Sequence, residues 1–294
     1  MATAKIAKND GLNLAPFGFD PFWPKISVLG IHPKMNPSIE DQRVVITGAG
    51  KGIGRATALA FARAGAHVVL AARTEADLQT VAGEIGALDN GAQSLVVPCD
   101  VSREEDVSRL ASEALAWRGG IDVLINNVGV GKNGTVESLT TADFDWMVAT
   151  NLRSSWLCTK AFLPPMLARG SGTVVFISSV AGLAGLPNEP IYCATKFAQI
   201  GFAQSIDYEC YPRNVRVSVI APGGTDTPFG FYNGTRVPGD PRLAGFHAPE
   251  DVAEAALFAA SQPPRSRIFM IGMRPMNESL GTGSGVGFTS FPKT

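Results

Sequence analysis

From residue 43 onward the chain alternates short apolar runs with longer stretches in which apolar residues recur every three or four positions. The runs at 44–46, 68–70, 95–97, 123–125, 174–177 and 215–220 predict strands, and 268–271 predicts a seventh. Continuous apolar character implies burial on both faces, as in the interior of a parallel sheet. Between the runs, 53–64, 75–88, 104–117, 142–168, 192–211 and 249–261 predict helices, with Pro164-Pro165 expected to kink or end the fourth. Such alternation demands right-handed crossovers, so the expected fold is α/β, a single doubly wound parallel sheet of about seven strands flanked by helices. No repeat or second domain interrupts 41–273.

The two ends read differently. Residues 1–40 set Pro16, Pro21, Pro24, Pro33 and Pro37 among Phe17, Phe19, Phe22, Trp23 and Ile31, a mixture hostile to regular structure yet too aromatic for a solvated tail. An extended arm packed on its own domain or on a neighbouring subunit is expected. The alternative is a lid, or a peripheral membrane contact through Phe19, Phe22 and Trp23. Residues 274–294 form a C-terminal tail, rich in Gly, Ser and Thr from 280 on, with Phe288 and Phe291 as its only anchors.

Composition narrows the function classes. A net charge of -1 with 17% charged residues offers no basic field for nucleic acid. Cys99, Cys158, Cys193 and Cys210 lack metal or redox spacing and read as reduced packing residues; Cys193 stands out because it adjoins Tyr192. His32, His67 and His247 form no ligand cluster, so no metal is implied. No run of 18 apolar residues is present and no apolar stretch follows Lys5 and Lys8, so a cytoplasmic location is the default expectation.

Chemistry first enters after the first strand, where Thr47-Gly48-Ala49-Gly50-Lys51-Gly52-Ile53-Gly54 leads into an Ala-rich helix. Glycines there permit a tight turn and let a pyrophosphate approach the N–H groups of the helix N-terminus; a turn needing only positive φ is the simpler reading. The second strand ends Ala71-Ala72-Arg73 with no carboxylate for ribose hydroxyls, and Arg73, with Lys51, is placed to meet a 2′-phosphate. NADP(H) is therefore expected over NAD(H). Asp100-Val101, closing the third strand, falls where an adenine is held, although Asp100 equally suits a cap for a helix starting near Ser102.

Tyr192 and Lys196 are one helical turn apart, so an ammonium can stand beside a phenol and draw its pKa of about 10 toward neutrality. The bland alternative is a half-buried Tyr beside a solvated Lys. Ser178 and Ser179 lie upstream as a second pair of candidates.

Taken together, the glycine turn, Asp100, Asn126-Asn127-Val128-Gly129, Asn151, Ser179, Tyr192-x-x-x-Lys196 and Pro222-Gly223 with Thr227 resemble the short-chain dehydrogenase/reductase superfamily, of the carbonyl-reductase and 3-oxoacyl-carrier-protein-reductase type. The resemblance covers 41–273 and implies a Rossmann-type sheet. It implies that Tyr192 exchanges a proton with the substrate oxygen and that Lys196 lowers the Tyr192 pKa and binds the nicotinamide ribose. Ser179, thirteen residues before Tyr192, would polarise the carbonyl, leaving Ser178 as packing, and Asn151 would hold a water that extends the relay. Gly48, Lys51, Gly52, Ile53 and Gly54 would form the cofactor turn, and Asn127 and Gly129 would support it. Pro222, Gly223, Thr225 and Thr227 would hold the carboxamide. Val128 replaces the family's usual alanine, and Thr225 stands where Ile or Val is commoner.

The expected activity is NADP(H)-dependent interconversion of a carbonyl and an alcohol, and the resemblance implies a homodimer or homotetramer whose interface uses the helices carrying Asn151 and Tyr192. The long loop 223–248 reads as a substrate lid. Its Phe229, Phe231, Tyr232 and Phe246, with Leu183, Leu186 and Pro187, predict an apolar or aromatic ketone or aldehyde; ordinary loop anchoring is the alternative. A non-catalytic NADP(H) sensor or structural subunit is the competing function, and the intact Asn151, Ser179, Tyr192 and Lys196 set argues against it.

Overall fold

A computed structural model of the chain describes residues 39–276, apart from 231–233, 235 and 238. All of these belong to the compact unit Lys34–Thr294; the unit Met1–Pro33, with the aromatic arm, lies outside the described residues, as does the tail from 277. Phe231 and Tyr232 of the expected lid fall outside them too.

Seven strands, β1 (Arg43–Thr47), β2 (His67–Ala72), β3 (Ser94–Pro98), β4 (Val123–Asn126), β5 (Gly172–Ile177), β6 (Val215–Pro222) and β7 (Met270–Met273), form one sheet in the order β3-β2-β1-β4-β5-β6-β7. Every pairing is parallel. Helices α1 (Gly52–Arg63) and α2 (Glu75–Gly86) cover one face together with α7 (Pro249–Ala260), while α3 (Glu104–Trp117), α5 (Ser154–Arg169) and α6 (Pro190–Cys210) cover the other. Successive side chains of a strand point to opposite faces, so Val44 and Ile46 enter one core and Val45 the other, which is why these strands read as unbroken apolar runs. Among the described residues no helix is long and apolar enough to cross a membrane.

Two elements differ from expectation. Strand β7 starts at Met270 rather than 268, although the carbonyl of Ile268 already accepts the Ser218 hydroxyl at 2.6 Å. The fourth helix is broken upstream of its prolines: α4 (Thr141–Met147), opened by a Thr140–Asp143 capping box, passes into a π-helical stretch Val148–Arg153 and then α5. Pro164 and Pro165 do not end α5, which runs to Arg169 and closes at Gly170 with φ 70°. Prolines within a helix cost about 3 kcal/mol or more, but the same turns bury Phe162, Leu163 and Met166, each contributing about 1.5–3 kcal/mol. Burial of the turn is of the same size as the cost of its lost backbone bonds and offsets it.

Strand order reverses between β1 and β4. The crevice at the carboxyl ends of these two strands is where a doubly wound sheet holds ligands, and both the glycine turn and Asn127, Val128 and Gly129 open onto it.

Candidate active site

The glycine turn is built by close approach. A Cβ on Gly54 would lie 2.0 Å from the Gly48 carbonyl oxygen, and Gly48 has φ +68° with Asn127 Nδ2 only 2.9 Å from where its Cβ would sit. Asn127 Nδ2 donates to the Thr47 carbonyl at 2.9 Å, and its N–H donates to Thr47 Oγ1 at 3.0 Å, so the turns after β1 and β4 are stitched together. Val128, the departure from the family's alanine, lays Cγ2 3.2 Å from the same Gly48 position. Helix α1 begins behind this turn with no side-chain cap and no acidic residue in its first turn. Its unsatisfied N–H groups and dipole therefore face the crevice, a cradle suited to a diphosphate.

At the far end of the crevice, Arg73 follows β2 directly and is exposed, while Lys51 Nζ pairs with Asp77 at 3.1 Å. The two cations named from sequence are thus unequal, because Lys51 already shares its charge with a carboxylate. Asp100 does not cap a helix at Ser102, since α3 starts at Glu104 with Arg103 before it. Instead its Oδ1 accepts the Ser102 N–H at 3.0 Å and hydroxyl at 2.7 Å. Burial works against the Asp100 charge, but the Ser102 donors, with Arg73 and Arg103 behind them, hold its carboxyl below the ordinary value.

The other end carries the polar side chains. Tyr192 and Lys196 sit on α6, with Lys196 Nζ 5.8 Å from the centre of the Tyr192 ring. Lys196 is not a solvated neighbour: it is 2% exposed, and its ammonium donates to the Ile177 carbonyl at 3.0 Å and to Gln199 Oε1 at 3.3 Å. Burial pushes its pKa from 10.5 down to about 7. Ser179 Oγ accepts the Ala181 N–H at 3.1 Å, which orients the hydroxyl and leaves its proton to donate. Ser178 also borders the cavity, but its hydroxyl donates to the Lys196 carbonyl at 3.3 Å.

Asn151 lies in the π-helical stretch, completely buried, and is the one expected catalytic or cofactor residue that does not line the cavity. Its Oδ1 accepts the Val130 N–H at 2.7 Å, and its Nδ2 donates to the Val130 carbonyl at 2.8 Å and to Thr195 Oγ1 at 3.0 Å. Both ends of the side chain are engaged in holding the turn after β4 against α6.

Every other expected catalytic and cofactor residue lines one cavity of about 830 Å³ running from Arg73 to Tyr192. Thr227 approaches Gly52, its Cβ 3.2 Å from where a Gly52 Cβ would sit, and the Thr225 hydroxyl donates to the Gly223 carbonyl at 3.2 Å, so the Pro222–Thr227 segment lies across the glycine turn. Phe229 and Phe246 line the cavity, with the Phe229 ring 5.8 Å from that of Tyr192. Leu186 lines it as well, but Leu183 and Pro187 do not, and Leu183 is exposed. Cys193 beside Tyr192 is a packing residue; its sulfur accepts the Leu186 N–H, and burial pushes its thiol up. Sequence reasoning did not single out Trp146, Arg236, Asp240 or the fully buried Gln199. Gln199 was detectable, since it lies on the face of α6 that carries Tyr192 and Lys196.

A buried lysine has a consequence for stability. Between about pH 7 and 10.5 the unfolded chain keeps the Lys196 proton that the folded chain releases, so the contribution of this residue to stability rises with pH across that window. Lys196→Met is expected to be more stable than the wild type at pH 7, with the difference shrinking toward pH 10. Denaturant unfolding of the cofactor-free proteins measures it, and a pH-independent difference would contradict the buried charge.

The profile of a family described as short chain dehydrogenase matches residues 42–234. The chain is similar to the sepiapterin reductase of Chlorobaculum tepidum, 38% identical over 245 residues that cover 81% of this chain and 97% of that protein. Among solved structures it is similar to an alcohol dehydrogenase of the archaeon Thermococcus sibiricus complexed with 5-hydroxy-NADP, with TM-score 0.76, 31% identity, and 83% of this chain and all of that one covered. A metagenomic short-chain oxidoreductase in complex with NADP aligns with TM-score 0.70 and 33% identity over 82% of this chain and 100% of its own.

Proposed function

The chain belongs to the short chain dehydrogenase family of oxidoreductases, and from that premise we propose that it interconverts a carbonyl compound and an alcohol with NADP(H). The observation that carries the reading is the Lys196 ammonium buried beside Tyr192, in one cavity with Ser179 and the uncapped end of α1. NADP in one similar structure and 5-hydroxy-NADP in the other support the cofactor.

In this reading the α1 end, with Gly48, Lys51, Gly52, Ile53 and Gly54, binds the diphosphate, and Arg73 meets the 2′-phosphate. Asp100 and Val101 flank the adenine, Asn127 and Gly129 support the ribose side, and Pro222, Gly223, Thr225 and Thr227 face the carboxamide. The bound nicotinamide supplies or accepts the hydride. Ser179 donates a hydrogen bond to the carbonyl oxygen, and Tyr192 delivers the proton that turns it into a hydroxyl. Lys196 favours ionisation of the phenol through its charge, and the reverse reaction takes the proton back along the same groups.

Trp146, Leu186, Phe229, Leu243 and Phe246 around Tyr192 support an apolar or aromatic ketone or aldehyde as substrate. Purified protein with NADPH tests this against aromatic and aliphatic ketones, aldehydes, quinones and sepiapterin: cofactor oxidation is expected with aromatic members of the panel. Tight NADPH binding with no carbonyl reduced would instead establish a non-catalytic sensor. The exposed Trp156 of α5 and Phe197 and Tyr208 of α6 support a homodimer or homotetramer through these helices. Sedimentation equilibrium is expected to give a dimer or tetramer, and a monomer at micromolar concentration would contradict it. Buried, unpaired cysteines fit a reducing, cytoplasmic setting.

A further inference from the structure

Resting on the reading above, we infer that Gln199 is a positioning residue that holds the Lys196 ammonium through its amide oxygen and couples it, by way of Ser155, to the main chain of Asn151. Gln199 is 0% exposed and follows Lys196 by three residues on α6. Its orientation is fixed by chemistry. Lys196 Nζ can only donate, so the atom 3.3 Å away must be Oε1. Ser155 Oγ gives its proton to the Asn151 carbonyl at 3.0 Å, so it accepts from Gln199 Nε2, at 2.8 Å. Donors and acceptors therefore run in one direction from Lys196 to Asn151, with every side chain of the path buried.

The same two helical turns make a second tie, from Asn151 Nδ2 through Thr195 Oγ1 to the Tyr192 carbonyl, at 3.0 and 2.8 Å. Residues 151 and 155 on one side thus meet 195 and 199 on the other. One tie fixes the helix that bears Tyr192, and the other fixes the charge beside it. An ammonium in so dry a place needs acceptors to stay protonated. Around Lys196 there are two, the Ile177 carbonyl and Gln199, and only Gln199 can be changed by substitution. Burial shifts Lys196 with no contribution from a carboxylate among the described residues, and Tyr192 is a titratable group beside it.

The test is Gln199→Met, which keeps the length of the side chain and removes both hydrogen bonds. In cofactor-free protein with 13C-labelled lysine, NMR titration is expected to move the Lys196 midpoint down by about one pH unit, the scale of one hydrogen bond to a charged group. In turnover, kcat for alcohol oxidation should rise with pH later than in the wild type, with the KM for alcohol unchanged, which loosened packing alone would not produce. A folded Gln199→Met with an unmoved Lys196 midpoint would overturn the inference. Should that variant not fold, Gln199→Glu keeps the volume and the acceptor and must raise the midpoint; an unmoved midpoint there overturns it equally. Since the titration needs no substrate, its failure is separate from failure of the carbonyl-reductase reading, which the NADPH panel decides.

Discussion

Tyr192→Phe is expected to lower kcat by about 10²–10⁴-fold while NADPH affinity stays nearly unchanged, because the substitution removes one hydroxyl and keeps the ring. The ring packs near Phe229, at 5.8 Å between centres, so its removal would disturb the cavity wall, whereas loss of the hydroxyl leaves that contact in place. Lys196 would still be buried in the variant, held by Ile177 and Gln199, so a loss of turnover cannot be assigned to a collapsed lysine. Stopped-flow turnover paired with fluorescence titration of NADPH separates the two effects. A variant that turns over at the wild-type rate would remove Tyr192 from the proton path.

The second large effect concerns the cofactor. Arg73→Ala is expected to weaken NADPH by about 10–100-fold, the worth of a charge-assisted bond to phosphate, and to leave NADH nearly unaffected. The weight falls on Arg73 because the other nearby cation, Lys51, is paired with Asp77 at 3.1 Å. Lys51→Ala should accordingly cost less than Arg73→Ala. Dissociation constants for both cofactors measure this, and equal losses of NADPH and NADH would remove Arg73 from the phosphate.

Strands buried on both faces announce themselves as apolar runs, and that is why all seven were legible to within about two residues. The seventh is shifted two residues toward the C-terminus, and it is only partly buried. Helix α6 was legible by its period, and that period places Gln199 on the face of Tyr192 and Lys196; the partner its amide meets there, Ser155 of the facing helix, was not legible. The π-helical stretch was hidden for a related reason: Asn151 in a helical pattern signals a weak spot, yet whether the helix bends, ends or widens there depends on Val130 and Thr195, which come from elsewhere in the chain. Pro164-Pro165 misled in the opposite sense, because local backbone chemistry was offset by the burial of Phe162 and Met166.

The candidate site was legible to the extent that its residues belong to contiguous motifs, and the pocket beside it was not. Leu183 and Leu186 look alike in sequence, but only Leu186 lines the cavity. Which loop side chains face a substrate is decided by the path of the loop, and no spacing encodes that.

The most direct measurement of the central claim follows the hydride itself. With NADPH deuterated at C4 of the nicotinamide and an aromatic ketone, the wild type is expected to place deuterium on the carbinol carbon of the product, and Tyr192→Phe to do so at least two orders of magnitude more slowly. Tight NADPH binding with no deuterium in any alcohol, across the whole carbonyl panel, would contradict it.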